Sequence, residues 1–230
     1  MQDYSSLLVQ ISVFALPAIF AITLHEAAHG FVANKLGDDT ALRAGRVTFN
    51  PLKHIDPFGT VLMPLLLFFV SRGSFLFGYA KPVPVNFSRL NHPRMDMVWV
   101  ALAGPGINIL MAIGAALLFY VIPFVPTVAK LWAALNLRNA VMFNVVLAVF
   151  NMIPLPPLDG GRVAVGLLPN FLARPLARLE RYGIVIVIGV LFLLPWIGRE
   201  IGVDLDIVSV LIYWPANTIV QGIGWLTGVA

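Results

Sequence analysis

His25-Glu26-Ala27-Ala28-His29 concentrates more potential chemistry than any other stretch of this chain. On a helix, residues four apart lie one above the other on the same face. His25 and His29 can therefore offer imidazole nitrogens to a single metal ion, and neutral imidazoles at this spacing suit tetrahedral zinc. Glu26, beside the first histidine, is placed to hold an attacking water and take its proton. A catalytic zinc usually takes three protein ligands and keeps one position open, so a third ligand has to come from farther along the chain. Asp159 is the candidate. It follows Asn151-Met-Ile-Pro-Leu-Pro-Pro-Leu158 and precedes Gly160-Gly161. Prolines interrupt a helix because they lack the N–H and clash with the preceding turn. Irregular backbone at membrane depth is tolerated only inside protein or beside a water-filled cavity. Asp159 can project into such a cavity, the glycines permitting a tight turn or a close backbone approach; the plainer reading is a loop aspartate capping the helix from Gly160 onward. His54 reads either as an interfacial histidine or as a residue near the metal or substrate. Asn108 either hydrogen-bonds across a packed helix interface or reaches the polar site.

The element that must carry the motif is a membrane helix. Leu7 to Leu24 contains no charged residue, and the histidine motif continues that run. Three ionisable groups at the end of an apolar helix are costly and functional by default. The whole chain has the same character: 59% of its 230 residues are apolar, 11% are charged, and the mean hydropathy is +0.88. A soluble domain carries about a quarter charged residues. The net charge of +4 sits in short loops without a dense basic run interleaved with aromatics, which argues against nucleic acid and for contact with anionic headgroups. With no cysteine there is no disulfide and no thiolate metal site. The N-terminus lacks the positive region of a secretory signal, so the first apolar segment is expected to be retained.

Apolar spans are expected at about 7–31, 95–125, 139–152, 184–197 and 207–226. A shorter apolar stretch, 60–70, contains Pro64 and is lengthened by 75–79; it reads as a tilted span or a re-entrant hairpin. Residues 46–59 suggest a short strand and then a turn-rich segment, and 78–90 an extended or irregular edge. The expected fold is an all-α polytopic membrane protein with five to six transmembrane helices, short β or irregular segments, and a broken helix at the active site. Residues 1–230 read as a single domain, with a core over 7–162 and C-terminal helices over 182–227. The loops 32–57, 71–94 and 162–181 carry four basic residues each. The positive-inside rule places them in the cytoplasm, with the N-terminus outside and His25 and His29 near the cytoplasmic face.

The chain resembles the site-2 protease family of intramembrane zinc metalloproteases, in its compact bacterial form. The resemblance runs from about Leu7 to Arg162. It rests on His25-Glu26-x-x-His29, Gly45-Arg46-x-x-x-Asn50-Pro51-x-x-His54-x-Asp56-Pro57-x-Gly59, Ala103-Gly104-Pro105-x-x-Asn108, and Asn151-x-x-Pro154-x-x-x-x-Asp159-Gly160. It implies that His25, His29 and Asp159 bind one Zn2+, that Glu26 is the catalytic acid/base, and that Asn151 helps hold the substrate or the oxyanion. His54 and Asn108 are possible accessory residues. The inserted PDZ and C-terminal CBS domains of many relatives are not expected here. The implied reaction is hydrolysis of peptide bonds in or near transmembrane segments, in a bacterial inner membrane, with the site toward the cytoplasm. Membrane-anchored anti-sigma factors, transcription regulators and leftover signal peptides are the substrates that the family suggests. Extended pieces near Val47–Phe49 or Val83–Val85 are expected to pair with the unwound substrate. Two other classes use the same residues: a metal transporter with His25, Glu26, His29 and Asp159 as its transit site, and a scaffold that has lost catalysis. Transport predicts ionisable groups spread through the membrane depth, whereas this chain has one cluster; the intact Glu26 speaks against the scaffold.

Overall fold

A computed structural model describes residues 4–63, 66, 81–203 and 205–229. The first helix, α1, runs from Tyr4 to Lys35 without interruption, through Pro17. Proline at that position cannot donate to the carbonyl of Val13, one turn earlier. Asn139 donates its amide to that carbonyl instead, at 2.6 Å. A neighbouring helix thus satisfies the group that proline frees, as the bilayer demands.

Asn139 belongs to α4 (Thr127–Asn151), and between the two lies α3 (Pro93–Leu118). These three helices pack on one another and form the body of the protein. The buried face of α3 carries Ala101, Gly104, Pro105, Asn108, Ala112, Ala115 and Ala116, spaced at three and four. Small residues at this spacing let backbones approach where lipid supplies no hydrophobic drive between helices. Val141, Asn144, Val145, Ala148 and Val149 face them from α4. Leu110, Phe124, Val128 and Leu131 lie on the outside, exposed as lipid-facing side chains are. α3 passes through Pro105 intact. It opens on Pro93, with the Asp96 carboxylate accepting the His92 N–H at 2.7 Å.

Between α1 and α3 lie α2 (Thr40–Arg43), a short 3₁₀ turn at Pro51–Lys53 capped by Asn50, and a π turn at Pro57–Leu62 capped by Asp56. No strand forms among the described residues, so the segments expected to be β are irregular. The physical reason is where their polar groups go. Lys81 N donates to the His54 carbonyl at 2.9 Å, Arg46 Nη2 donates to the Lys81 carbonyl at 2.6 Å, and the buried Asp38 accepts the Asn86 N–H at 2.6 Å. Single links and side chains hold residues 81–86, leaving no ladder. Burial pushes the Asp38 carboxyl up, but the Thr40 hydroxyl, the Asn86 and Thr40 N–H groups and the nearby Arg89 overcome it and hold it below the usual carboxylate value.

After α4 the chain turns irregularly through residues 152–158 and restarts as α5 (Asp159–Leu167), which packs on α3. This is the expected broken helix. A Cβ at Gly160 would collide with the main chain of Met152, so the restart needs glycine there. Beyond it come α6 (Asn170–Arg178), α7 (Gly183–Ile188), α8 (Leu194–Glu200) and α9 (Trp214–Thr227), the last packing on α3 and α4.

Among the described residues three helical stretches, 8–35, 93–124 and 127–151, are long and apolar enough to cross a membrane. The pair 170–182 and 185–200, bent by 81°, would make a fourth. That is fewer than the five to six spans expected. Residues 64–65 and 67–80, which hold most of the predicted short span or hairpin, lie outside the described residues. The last predicted span is interrupted by a π turn at Ser209–Tyr213, which leaves a 14-residue regular helix.

Candidate metal centre

His25 and His29 lie on adjacent turns of α1, and Asp159 is the first residue of α5. The break after α4 swings that aspartate back over the two imidazoles. His25 Nε2 lies 3.1 Å from His29 Nε2, and Asp159 Oδ2 lies 3.2 Å from the first and 3.3 Å from the second. All three residues are buried. Among the described residues this is the one group of His, Cys, Asp and Glu arranged to hold a metal ion.

The protons show why a cation fits. His29 Nδ1 donates to the Val100 carbonyl at 2.7 Å, and His25 Nδ1 donates to Asn108 Oδ1 at 2.6 Å. Each imidazole has thereby spent its N–H on the far side and turns the lone pair of Nε2 inward. Asp159 Oδ2 joins them and has no hydrogen-bond donor among the described residues. Three buried acceptors facing one point without a donor would be costly. A divalent cation satisfies all three. Zinc with ligand bonds of about 2.0–2.1 Å in a tetrahedron sets its ligand atoms about 3.3 Å apart, close to the three separations found here. The donor set, two neutral imidazoles and one carboxylate, suits zinc, and the polar partner behind each imidazole is the usual outer support of such ligands.

Room for the two imidazoles is made by Gly104. A Cβ on that residue would stand 2.5 Å from His25 Cε1, 2.5 Å from His29 Nε2 and 2.6 Å from His25 Nε2. Glycine at 104 lets α3 approach α1 at the point where the two imidazoles need the space.

Glu26 is half-buried beside the triad, and its Oε2 accepts the N–H of Val83 at 2.7 Å. The irregular segment 81–86 therefore braces the candidate base. Asn108, fully buried, sits behind His25. Of the two readings the sequence left open, it does both: it supports the site and hydrogen-bonds across the helix interface, to Ala21 on α1 and to Asn144 on α4. Asn151 closes α4 and turns its amide to the Leu147 carbonyl of its own helix, at 3.0 Å. His54 is buried but outside the triad; its Nε2 donates to the Thr48 carbonyl at 3.2 Å, and its carbonyl anchors Lys81. Sequence reasoning missed Asn144 and Val83. A polar residue buried within an apolar helix was the available signal for Asn144; a main-chain N–H leaves no signal at all.

Comparison with known proteins agrees with this geometry. Residues 13–195 match the profile of peptidase family M50. The chain is 39% identical over 181 residues to "Putative zinc metalloprotease YwhC" of Bacillus subtilis (strain 168), covering 77% of this chain and 78% of that one. It is 29% identical over 186 residues to "Putative zinc metalloprotease Rip2" of Mycolicibacterium smegmatis, covering 79% of this chain and 66% of the relative. The protein of the same name from Mycobacterium tuberculosis (strain ATCC 25618 / H37Rv) is 30% identical over 177 residues, with 77% and 65% covered. No solved structure gives a significant match.

Proposed function

The chain belongs to peptidase family M50, the site-2 proteases, and is a membrane zinc metalloprotease; from that premise we propose that it hydrolyses peptide bonds in or near the transmembrane segments of other membrane proteins. In this reading His25, His29 and Asp159 hold one zinc ion per chain and Glu26 is the acid/base. The observation that carries it is the convergence of three buried, donorless acceptors at 3.1–3.3 Å from one another, beside a carboxylate at the end of an apolar helix.

Held by His25, His29 and Asp159, zinc would supply Lewis-acid chemistry, polarising the scissile carbonyl and lowering the pKa of a water. The protein supplies the rest. Glu26, with Oε2 fixed by Val83, keeps its other oxygen to take the proton of the attacking water and pass it to the leaving amine. Asn108 and the Val100 carbonyl hold the ring protons on Nδ1, which leaves Nε2 of both imidazoles to ligate. Asn151, at the edge of the break between α4 and α5, turns from Leu147 to meet the substrate carbonyl or the developing oxyanion. The target helix has to unwind locally, and in this reading it pairs as an extended chain with Val47–Phe49 or Val83–Val85. The positive-inside pattern supports this end of α1 facing the cytoplasm, in this reading of a bacterial inner membrane, which would give water its route. A transit path for metal would need further ionisable clusters through the membrane, and the described residues hold one.

The test is cleavage in reconstituted vesicles that contain a transmembrane peptide, with products identified by mass spectrometry. Wild-type protein should cut the peptide, and the Glu26→Gln protein should retain zinc yet cut at a rate at least about a hundredfold lower. Full activity in Glu26→Gln would overturn the assignment. Membrane proteomics of cells holding one form against the other then identifies the natural substrates.

A further inference from the structure

Asn144 lies two turns before the end of α4, is 1% exposed, and hydrogen-bonds to Asn108 and Ala140 rather than to any of the three candidate ligands. Its amide nitrogen donates to the Ala140 carbonyl at 2.8 Å. A main-chain carbonyl only accepts, so this contact fixes which end of the amide is nitrogen. The Asn144 oxygen must then face Asn108, whose Nδ2 donates to it at 2.7 Å. The same Nδ2 donates to the Ala21 carbonyl at 3.2 Å, which pins the second amide in the same sense. Asn108 is left with its oxygen toward His25, and at 2.6 Å an oxygen there can only receive a proton from Nδ1. His25 therefore carries its proton on Nδ1 and a bare lone pair on Nε2.

We propose that Asn144 is a positioning residue of the metal centre, which acts through the Asn108 amide to hold His25 in the tautomer that binds zinc. The chain of bonds runs from Ala140 to Asn144 to Asn108 to His25, and each member has one allowed direction. Without the Asn144 oxygen, the Asn108 nitrogen keeps only its longer bond to Ala21, and the amide is held less firmly against turning over. Its NH2 would then face His25, draw the bare nitrogen to Nδ1, and put the proton on Nε2, where the metal has to bind. The inference rests on His25, His29 and Asp159 being the zinc ligands.

The experiment is zinc affinity of the purified full chain, measured by competition with a chelator, together with the ligand-field absorption of the cobalt-substituted protein. Four proteins are compared: wild type, Asn144→Leu, Asn108→Asp, and the double variant Asn144→Leu/Asn108→Asp. Loss of outer support for a ligand weakens metal binding by about 10–100-fold, and Asn144→Leu is expected in that range. The double variant separates orientation from packing. A carboxylate has only acceptor oxygens, so Asp at 108 receives the His25 proton whichever way it lies and needs no neighbour to orient it. It should restore most of the lost affinity and the cobalt spectrum of the wild type. Wild-type affinity in Asn144→Leu would overturn the proposal, and so would a double variant as weak as Asn144→Leu, since a packing defect would persist there. If the wild-type chain itself binds no zinc, the ligand assignment falls and the proposal with it; if wild type binds and Asn144→Leu binds equally, the proposal alone falls.

Discussion

A hydrogen atom is the scale on which this site is decided. The Nε2 lone pairs of His25 and His29 are available because Asn108 and Val100 have claimed the other ring protons, and the space between them exists because residue 104 has no side chain. Gly104→Ala drives a methyl group to within 2.6 Å of both Nε2 atoms and forces the ligands to shift. The expected outcome is loss of zinc binding by at least about tenfold, in line with other disturbances of ligand support, in a protein that still inserts and folds; chelator competition on the purified variant measures it. Wild-type affinity there would show that the imidazoles sit farther from α3 than described. His25, Glu26 and His29 were legible in the sequence because one helix carries them at a fixed spacing. Asp159 was legible less directly, through a proline-rich break that had no reason to exist in a membrane helix except to aim something. The support behind the ligands was not legible: Asn108 announced itself only as a polar residue among apolar ones, and the Val100 carbonyl and Val83 N–H are groups that every residue has.

Elements hold these atoms in place by exchanging polar groups across helix interfaces. Pro17 frees the Val13 carbonyl, and Asn139 meets it from α4. Asn139→Leu should cost about 0.6–1.7 kcal/mol, the range for hydrogen bonds between membrane helices. In a Pro17→Ala background the same substitution should cost less, because residue 17 then supplies its own N–H to Val13. Unfolding in mixed micelles of the four proteins gives the coupling; simple additivity would mean that Asn139 does something other than replace the missing donor. The irregular segment 81–86, which braces Glu26, depends on Asp38 in a comparable way. Its folded pKa lies below the unfolded value, so its stabilisation is complete above the ordinary carboxylate pKa of about 3.9 and fades as pH falls through the folded value. The gap in melting temperature between wild type and Asp38→Asn should therefore be wide at pH 6 and close below about pH 4. The expected strands failed on the same point. Alternating β-branched residues marked Val47–Phe49 and Val83–Val85 as extended, but hydropathy does not reveal that a buried aspartate, an arginine and a helical glutamate take up the polar groups a ladder would use.

At the scale of the molecule, membrane character was legible in the composition, and the positive loops carry the proposed orientation. The number of spans was not, because apolar runs do not disclose a sharp bend such as the 81° turn before residues 185–200, nor a π turn such as that at Ser209–Tyr213. The absence of native cysteine makes orientation open to direct test. A single cysteine in place of the exposed Arg43 should react with an impermeant thiol reagent only from the cytoplasmic side, and one in place of Lys130, at the opposite end of the bundle, only from outside. Labelling in the reverse sense would place the site on the other face of the membrane and move its water supply with it.

The account depends above all on the three ligands, and zinc stoichiometry across a small set of variants tests it most directly. After dialysis against a weak chelator, elemental analysis should find one zinc per chain in the wild type and in Glu26→Gln, and little or none in His25→Ala, His29→Ala and Asp159→Ala. Full zinc retained in Asp159→Ala, or lost in Glu26→Gln, would contradict the division between the residues that hold the ion and the residue that moves the proton.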